Sequence, residues 1–301
     1  MRKHALKLTV IAALALAMPL SLAACGGSST GSGSTSKTGA AAQVASPGAS
    51  CASPDSSNPL KIGMEAAYAP FNWTQKDDSN GAVKIDGGDW ANGYDVQIAR
   101  RIGQYLCRDV VVVKTSWDGL IPAVTSGTID LIVAGMSPTA ERRQAIDFSD
   151  PYYSSDAVVV VKKGSKWASA TSINDFQGAK ITAQLGTMHY DLIDQMKGVS
   201  KQAAMADFPT MIAGLESGAI DGYISERPGA LSAVAANSNL TFVSFTGSNG
   251  FKVDQNNISI SVGMKKGSPL LTSVNAALKG ISSQERSTLM DNAIKQQPVG
   301  D

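Results

Sequence analysis

From residue 59 the chain alternates between β-branched runs and amphipathic stretches. LKIGMEA (60–66), VVVVK (110–114), IDLIVAG (129–135), AVVVVKK (157–163), KITAQLG (180–186), IDGYIS (220–225), LTFVSF (240–245) and ISISVGM (258–264) read as strands. Branched side chains favour a pleated, half-buried surface, which is why such runs predict β structure. GYDVQIARRIGQYL (93–106) reads as a helix, because Tyr94, Ile98, Ile102 and Leu106 recur every fourth residue and make one apolar stripe. Shorter helices are expected at 117–126, 139–145 and 188–196, and two more between 264 and about 294. PTMIAGLESG (209–218) opens on a proline suited to a first helical turn and closes on a glycine suited to a C-cap. The alternation predicts α/β layers with mostly parallel sheets. About 240 folded residues are large for one core and natural for two lobes. In open α/β sheets ligands sit beyond the carboxyl ends of the strands. Interest therefore falls on the loops at 65–71, 117, 135–142, 186–189 and 225–227.

The segment before residue 59 has a different character. Arg2, Lys3 and Lys7 precede an apolar run from Leu8 to Ala24, interrupted by Pro19 and Ser21. The run is short of the roughly 20 residues a spanning helix needs, and it fits a secretory leader, residues 1–24. It ends Leu22-Ala23-Ala24-Cys25, which resembles the bacterial lipobox. That resemblance implies acylation of Cys25, the alternative being a plain leader with a cysteine at its cleavage site. Residues 25–58 are rich in Gly, Ser, Thr and Ala without apolar periodicity. Such a stretch cannot bury enough surface to offset its ordering entropy, so a flexible tether of about 30 Å reach is expected. GSGSTSKT (31–38) is a near-miss to a phosphate-binding loop, but Ser36 stands where glycine is required and no strand precedes it.

Composition narrows the function. Lys and Arg number 26 and Asp and Glu 25, a net charge of +1. Loss of the leader would leave about −2. No basic stripe is present of the kind a nucleic-acid binder needs. Three cysteines and two histidines cannot build an ordinary zinc site. Asp77, Asp78 and Asp86 lack the spacing of a calcium loop. Neither a metal nor a cofactor is expected. Cys51 precedes the first strand and Cys107 closes the first long helix. In a parallel βαβ unit both points lie at one end of the sheet, so a Cys51–Cys107 disulfide is expected in an exported chain, with two free thiols as the alternative.

KIGMEAAYAPFNW, GYDVQIARRI, SWDGLIPAVTSGTIDLIVAGMSPTAERRQAIDFSDPYY and VVVVKKGS occur in that order. Together they resemble the polar amino-acid substrate-binding proteins of ATP-driven (ABC) importers, which have the two-lobed periplasmic-binding-protein-like type II fold. The resemblance runs from residue 59 to about 297. It implies lobe 1 at 59–151 and 261–301, lobe 2 at 157–255, and hinge crossovers at 152–156 and 256–260. It also implies a monomer, a membrane permease with separate ATPase subunits as partner, and a protein held by lipid at the outer face of the membrane. A long tether after a lipobox points to a Gram-positive-like cell surface.

The resemblance assigns site residues. Arg142 would pair bidentately with the carboxylate of a free L-amino acid, helped by the Thr187 backbone. Glu226, a position where the family commonly has Asp, would hold the ammonium with Ser137 and the Gly135 carbonyl. Tyr68 and Trp117 would sandwich the ligand side chain, with Phe71 supporting that wall. Glu65 and Gln184 would line the far end. Residue types alone leave other pairings open: Arg142 with Glu141 or Asp147, and Glu226 with Arg227. His189 lies by the Gly186-Thr187 loop and reads as a surface residue at a helix start, the alternative being contact with the ligand, and 75–89 reads as a solvated loop at the cleft rim. A carboxylate at Glu65 disfavours acidic ligands and favours cationic or amide side chains.

Other functions fare worse. A dehydratase on the same fold, acting on prephenate or arogenate, would need only an acid and a base such as Glu65 or Glu226. No Ser-His-Asp set, nucleophile elbow or metal cluster appears. A receptor's sensory module would need transmembrane and signalling segments, which are not read here. A structural lipoprotein would have no use for the pocket chemistry.

Overall fold

The computed structural model describes residues 51, 53–254 and 258–298. The expected leader, Cys25 and most of the tether lie outside these residues, as does part of the 256–260 crossover.

The first apolar run forms the strand Asp55–Met64, with Leu60, Ile62 and Met64 fully buried. It begins earlier than its hydrophobic pattern predicts. Asp55 pairs with Arg108, and its amide donates to the Cys107 carbonyl at 2.9 Å. The Cys51–Cys107 disulfide pins the same corner, with Cα atoms 5.3 Å apart. Pairing and cross-link thus extend the strand into polar residues that have no apolar signal.

Asp55–Met64 lies between Arg108–Lys114 and Leu131–Ile132 and is parallel to both. Ser259–Lys265 then pairs antiparallel with Leu131–Ile132 and with Ile146–Ser154, completing five strands. The second sheet has the order Ser200–Lys201, Lys180–Thr182, Gly222–Glu226, Ala157–Lys162, Leu240–Val243. Its first three strands are parallel, and Ala157–Lys162 is antiparallel to both neighbours. Each sheet therefore mixes two parallel and two antiparallel pairings, where the alternation alone predicts mostly parallel ones. The chain passes from Ile146–Ser154 in the first sheet straight into Ala157–Lys162 in the second, without a helical crossover. It returns beside the same path, with Ser259 opposite Ser154 and the Ser155 amide donating to the Ile258 carbonyl at 3.4 Å. Pro151 sits where this ladder shifts register, a place that tolerates a missing N–H.

The helix Tyr94–Leu106 buries Tyr94, Ile98 and Ile102 completely, as its stripe predicts. Residues 129–135 and 180–186 keep only Leu131–Ile132 and Lys180–Thr182 as strand. Beyond them the backbone turns at Gly135 (φ 65) and Gly186 (φ 68), left-handed conformations that glycine adopts without penalty. Those turns aim Ser137 and Thr187 at one cavity. Residues 76–80 and 86–88 are exposed, as a solvated loop requires, but the 75–89 stretch is not loop throughout. It belongs to a small antiparallel sheet of Ala67–Tyr68, Asn72–Gln75, Val83–Lys84 and Trp90–Asn92, with Val83 and Ile85 buried. Strands this short leave no readable period. Among the described residues no helix is long and apolar enough to cross a membrane.

The cross-link closes a loop across a sequence separation of 56 residues. Reduction, or Cys107→Ser, should destabilise the fold by about 2–4 kcal/mol. Denaturant titration with and without reductant measures this, and coincident midpoints would show that the bond contributes nothing.

Candidate functional site

Eight of the ten predicted ligand residues meet at one cavity: Tyr68, Trp117, Gly135, Ser137, Arg142, Gln184, Thr187 and Glu226. Five come from the stretch 68–142, which includes strands of the first sheet, and three from 184–226, which includes strands of the second. The cavity is lined by both halves.

Arg142 opens the short helix Arg142–Ala145. Its Nη1 donates to the Ser137 carbonyl at 2.9 Å and its Nη2 to the Gly186 carbonyl, also at 2.9 Å. Its guanidinium lies 5.0 Å from the Trp117 ring centroid, and Trp117 Nε1 donates to the same Gly186 carbonyl at 3.3 Å. Burial pushes the Arg142 pKa down to about 10, with Glu141 and Glu226 opposing, so it stays cationic at neutral pH. Asp147 is paired with Lys266 at 3.1 Å, which leaves Arg142 to the cavity.

Glu226 ends the strand Gly222–Glu226 and is only 8% exposed. The Tyr68 hydroxyl donates to its Oε2, and His189 Nε2 stands 3.5 Å from its Oε1. The neighbouring Arg227 turns instead to Asp156, at 3.8 Å. Burial first, and then the Glu226 charge, raise the Tyr68 phenol pKa well above its ordinary value, so it remains a donor. The Tyr68 ring stacks on Phe208 with centroids 4.1 Å apart and planes 10° apart.

Three placements differ from expectation. Phe71 is fully buried and does not line the cavity; it backs Tyr68 at 5.0 Å, so it supports that wall from behind. Glu65 lies in an adjoining hollow with Asp118 and Asp207, walled off by Trp117, which lines both spaces. Gln184 connects the two, donating from Nε2 to both Glu65 oxygens at 3.0 and 3.1 Å. His189 is not on the surface: it is buried and lines the cavity, because the helix Met188–Leu192 packs against Gly222–Glu226. Phe208 and Met188 also line the cavity, and neither is evident from sequence. The only available hint for Phe208 is an aromatic set between an N-cap Asp207 and a first-turn Pro209.

A buried network lies beneath the Gly135 turn. Gly135 N–H donates to the Tyr152 hydroxyl at 3.3 Å, and that hydroxyl donates to Asp95 Oδ1 at 2.7 Å. Asn72 Nδ2 donates to Asp95 Oδ2 at 2.9 Å. Burial pushes the Asp95 pKa up to about 6. The site thus offers a guanidinium from one half, a carboxylate from the other, and aromatic walls between. That arrangement is complementary to a small zwitterion. Among the described residues no group of His, Cys, Asp and Glu could hold a metal ion.

Residues 60–293 match the family model of bacterial extracellular solute-binding proteins, family 3. A probable histidine-binding protein of Campylobacter jejuni is 34% identical over 60% of this chain and 65% of its own length. The L-cystine-binding protein TcyJ of Escherichia coli is 30% identical over 58% of this chain and 61% of its own. The chain thus spans less than two thirds of each of these relatives. A crystal structure of the amino acid ABC transporter substrate-binding protein AbpA from Streptococcus pneumoniae, bound to L-arginine, superposes with a TM-score of 0.67 at 29% identity, covering 79% of this chain and 94% of that one. These relatives are substrate-binding transport proteins rather than enzymes, and the shared fold is two-lobed.

Glu65 carries a stability signature. Burial, reinforced by Asp207 and Asp118, raises its pKa from 4.5 to about 7. Between those values the folded protein holds a proton that the unfolded chain has lost, so stability falls as pH rises through that window. Glu65→Gln should therefore raise stability at pH 8 by about 1–2 kcal/mol, allowing for partial exposure, and give no gain at pH 4. Equal gains at both pH values would rule out this origin.

Proposed function

Because the chain belongs to the bacterial extracellular solute-binding proteins of family 3, we propose that it captures a free L-amino acid by closing two lobes around it, and delivers it to an ABC permease. Lobe 1 comprises 59–151 and 261–301 and lobe 2 157–255, with 152–156 and 256–260 as hinge. Cys25 carries the lipid that holds the monomer at the outer face of the membrane, a reading supported by the lipobox-like Leu22-Ala23-Ala24-Cys25. The observation that carries the proposal is the opposition of Arg142 and Glu226 across one cavity.

The ligand carboxylate takes the guanidinium of Arg142. A carboxylate is a stronger acceptor for guanidinium than a neutral carbonyl, so it can replace Gly186 on Nη2. The ammonium takes Glu226, with Ser137 and the Gly135 carbonyl completing its shell. The side chain runs between Tyr68 and Trp117 towards Gln184 and Glu65. Glu65, Asp118 and Asp207 around the adjoining hollow make that end acidic. A glutamate or aspartate side chain would meet repulsion there, while a cationic one would find compensation. The preferred ligands are arginine, lysine or ornithine, followed by glutamine or histidine. The arginine-bound state of the Streptococcus pneumoniae neighbour is in keeping with that order.

Calorimetric titration with a panel of amino acids tests the specificity; tight, selective glutamate binding would overturn it. Arg142→Ala strands the ligand carboxylate and should cost about 2–5 kcal/mol, roughly 30-fold to several-thousand-fold in Kd. Unchanged affinity in that variant would refute the assigned carboxylate site.

A further inference from the structure

Resting on the reading of Glu226 as the ammonium's partner, the geometry points to a second occupant for that carboxylate: we propose that the His189 imidazole, once protonated, neutralises Glu226 and competes with the ligand's ammonium, making capture sensitive to acid. His189 is 7% exposed and lines the cavity. Its Nε2 lies 3.5 Å from Glu226 Oε1, while the Tyr68 hydroxyl donates to the other oxygen, Oε2. Both side chains are close to nine-tenths buried, at 9% and 11% exposure, so water screens their charges little.

Imidazole is the side chain that ordinarily changes charge between pH 5 and 8. A neutral ring leaves the Glu226 charge to the ligand. A protonated ring forms an ion pair with it, and the ammonium must then displace one cation from beside the carboxylate or share it. Either route weakens binding as pH falls. Other groups face the same carboxylate. Arg142 lies across the cavity and stays charged through this range. Tyr68 and Tyr153 feel Glu226 and stay neutral. Asp95, below the Gly135 turn, is coupled to Glu226, and Glu65 lies beyond Gln184. Loss of negative charge on Asp95 and Glu65 also weakens cation binding in acid. The contribution of His189 is therefore the part of the pH response that disappears when its ring is replaced.

The test compares the full-length wild type with His189→Gln, using L-arginine as probe at pH 7.5 and 5.5. A single competing proton weakens binding by at most about tenfold per pH unit. The wild-type Kd should rise by at least about fivefold more than that of the variant over this interval. Equal rises would overturn the proposal, because a merely structural histidine would shift both values together. A second measurement does not depend on ligand. The ring nitrogens of His189 are followed by NMR in the full chain, assigned by their loss in His189→Gln, since His4 is the other histidine. Glu226→Gln should change the His189 ring-nitrogen shifts at pH 5.5 more than at pH 7.5, and equal changes at the two pH values would also overturn the proposal. Failure of any amino acid to bind would instead sink the assigned function, leaving the NMR result to decide the His189–Glu226 coupling.

Discussion

The carboxylate of Glu226 is the constraint around which the cavity is organised. A buried anion is costly unless hydrogen bonds and an opposite charge compensate it. The fold supplies compensation from both halves: a phenol from Tyr68 and an imidazole within the same half from His189. Neither is a permanent cation. The carboxylate is held in place but left electrically underpaired, and this is the condition under which a small ammonium can be attracted into a narrow space. A lysine or arginine at position 189 would remove that condition outright.

The opposite end has the mirror arrangement. Arg142 is half-buried, and its guanidinium bonds to neutral carbonyls, those of Ser137 and Gly186. Guanidinium tolerates such partners because it is weakly hydrated and planar, and the Trp117 ring covers one face. Two underpaired charges of opposite sign therefore face each other across one cavity. Asp95 adds order beneath them. Its two oxygens fix Tyr152 and Asn72, and Tyr152 in turn accepts from the Gly135 amide. That chain of bonds fixes the orientation of the glycine turn, and with it the carbonyl assigned to the ammonium.

Much of this was legible in the sequence because it depends on short motifs with local geometry. The stripe of Tyr94, Ile98 and Ile102 is a periodic signal, and the helix forms where the period predicts it. The run containing Arg142 and Ser137 sits directly after a buried strand, so its loop can be placed beyond that strand's carboxyl end from spacing alone. The illegible parts are tertiary. His189 reads as a surface residue because a five-residue helix has no period that marks an inner face; its burial follows from packing against Gly222–Glu226. Phe208 became the platform for Tyr68 only because two halves of the chain meet there. The small sheet at 67–92 leaves no trace in the pattern because strands of two to four residues cannot show alternation. The mixed sheets leave none because strand direction is decided by the route between halves, which hydrophobicity does not encode.

The contacts joining the two halves also bear on how closure would be driven. The halves are tied by Tyr68 to Glu226, by Arg142 and Trp117 to the Gly186 carbonyl, and by Gln184 to Glu65. A ligand shifts an opening equilibrium only by the difference between its affinities for the two states. Its carboxylate must therefore improve on the Gly186 carbonyl, and its ammonium on what Tyr68 and His189 already give Glu226. Each of those contacts has one charged partner, whereas an ion pair has two, so a zwitterion gains at both ends while a singly charged ligand gains at one. In the proposed mode, selectivity for amino acids over simple acids or amines follows from this comparison. It requires no contact that excludes those competitors sterically.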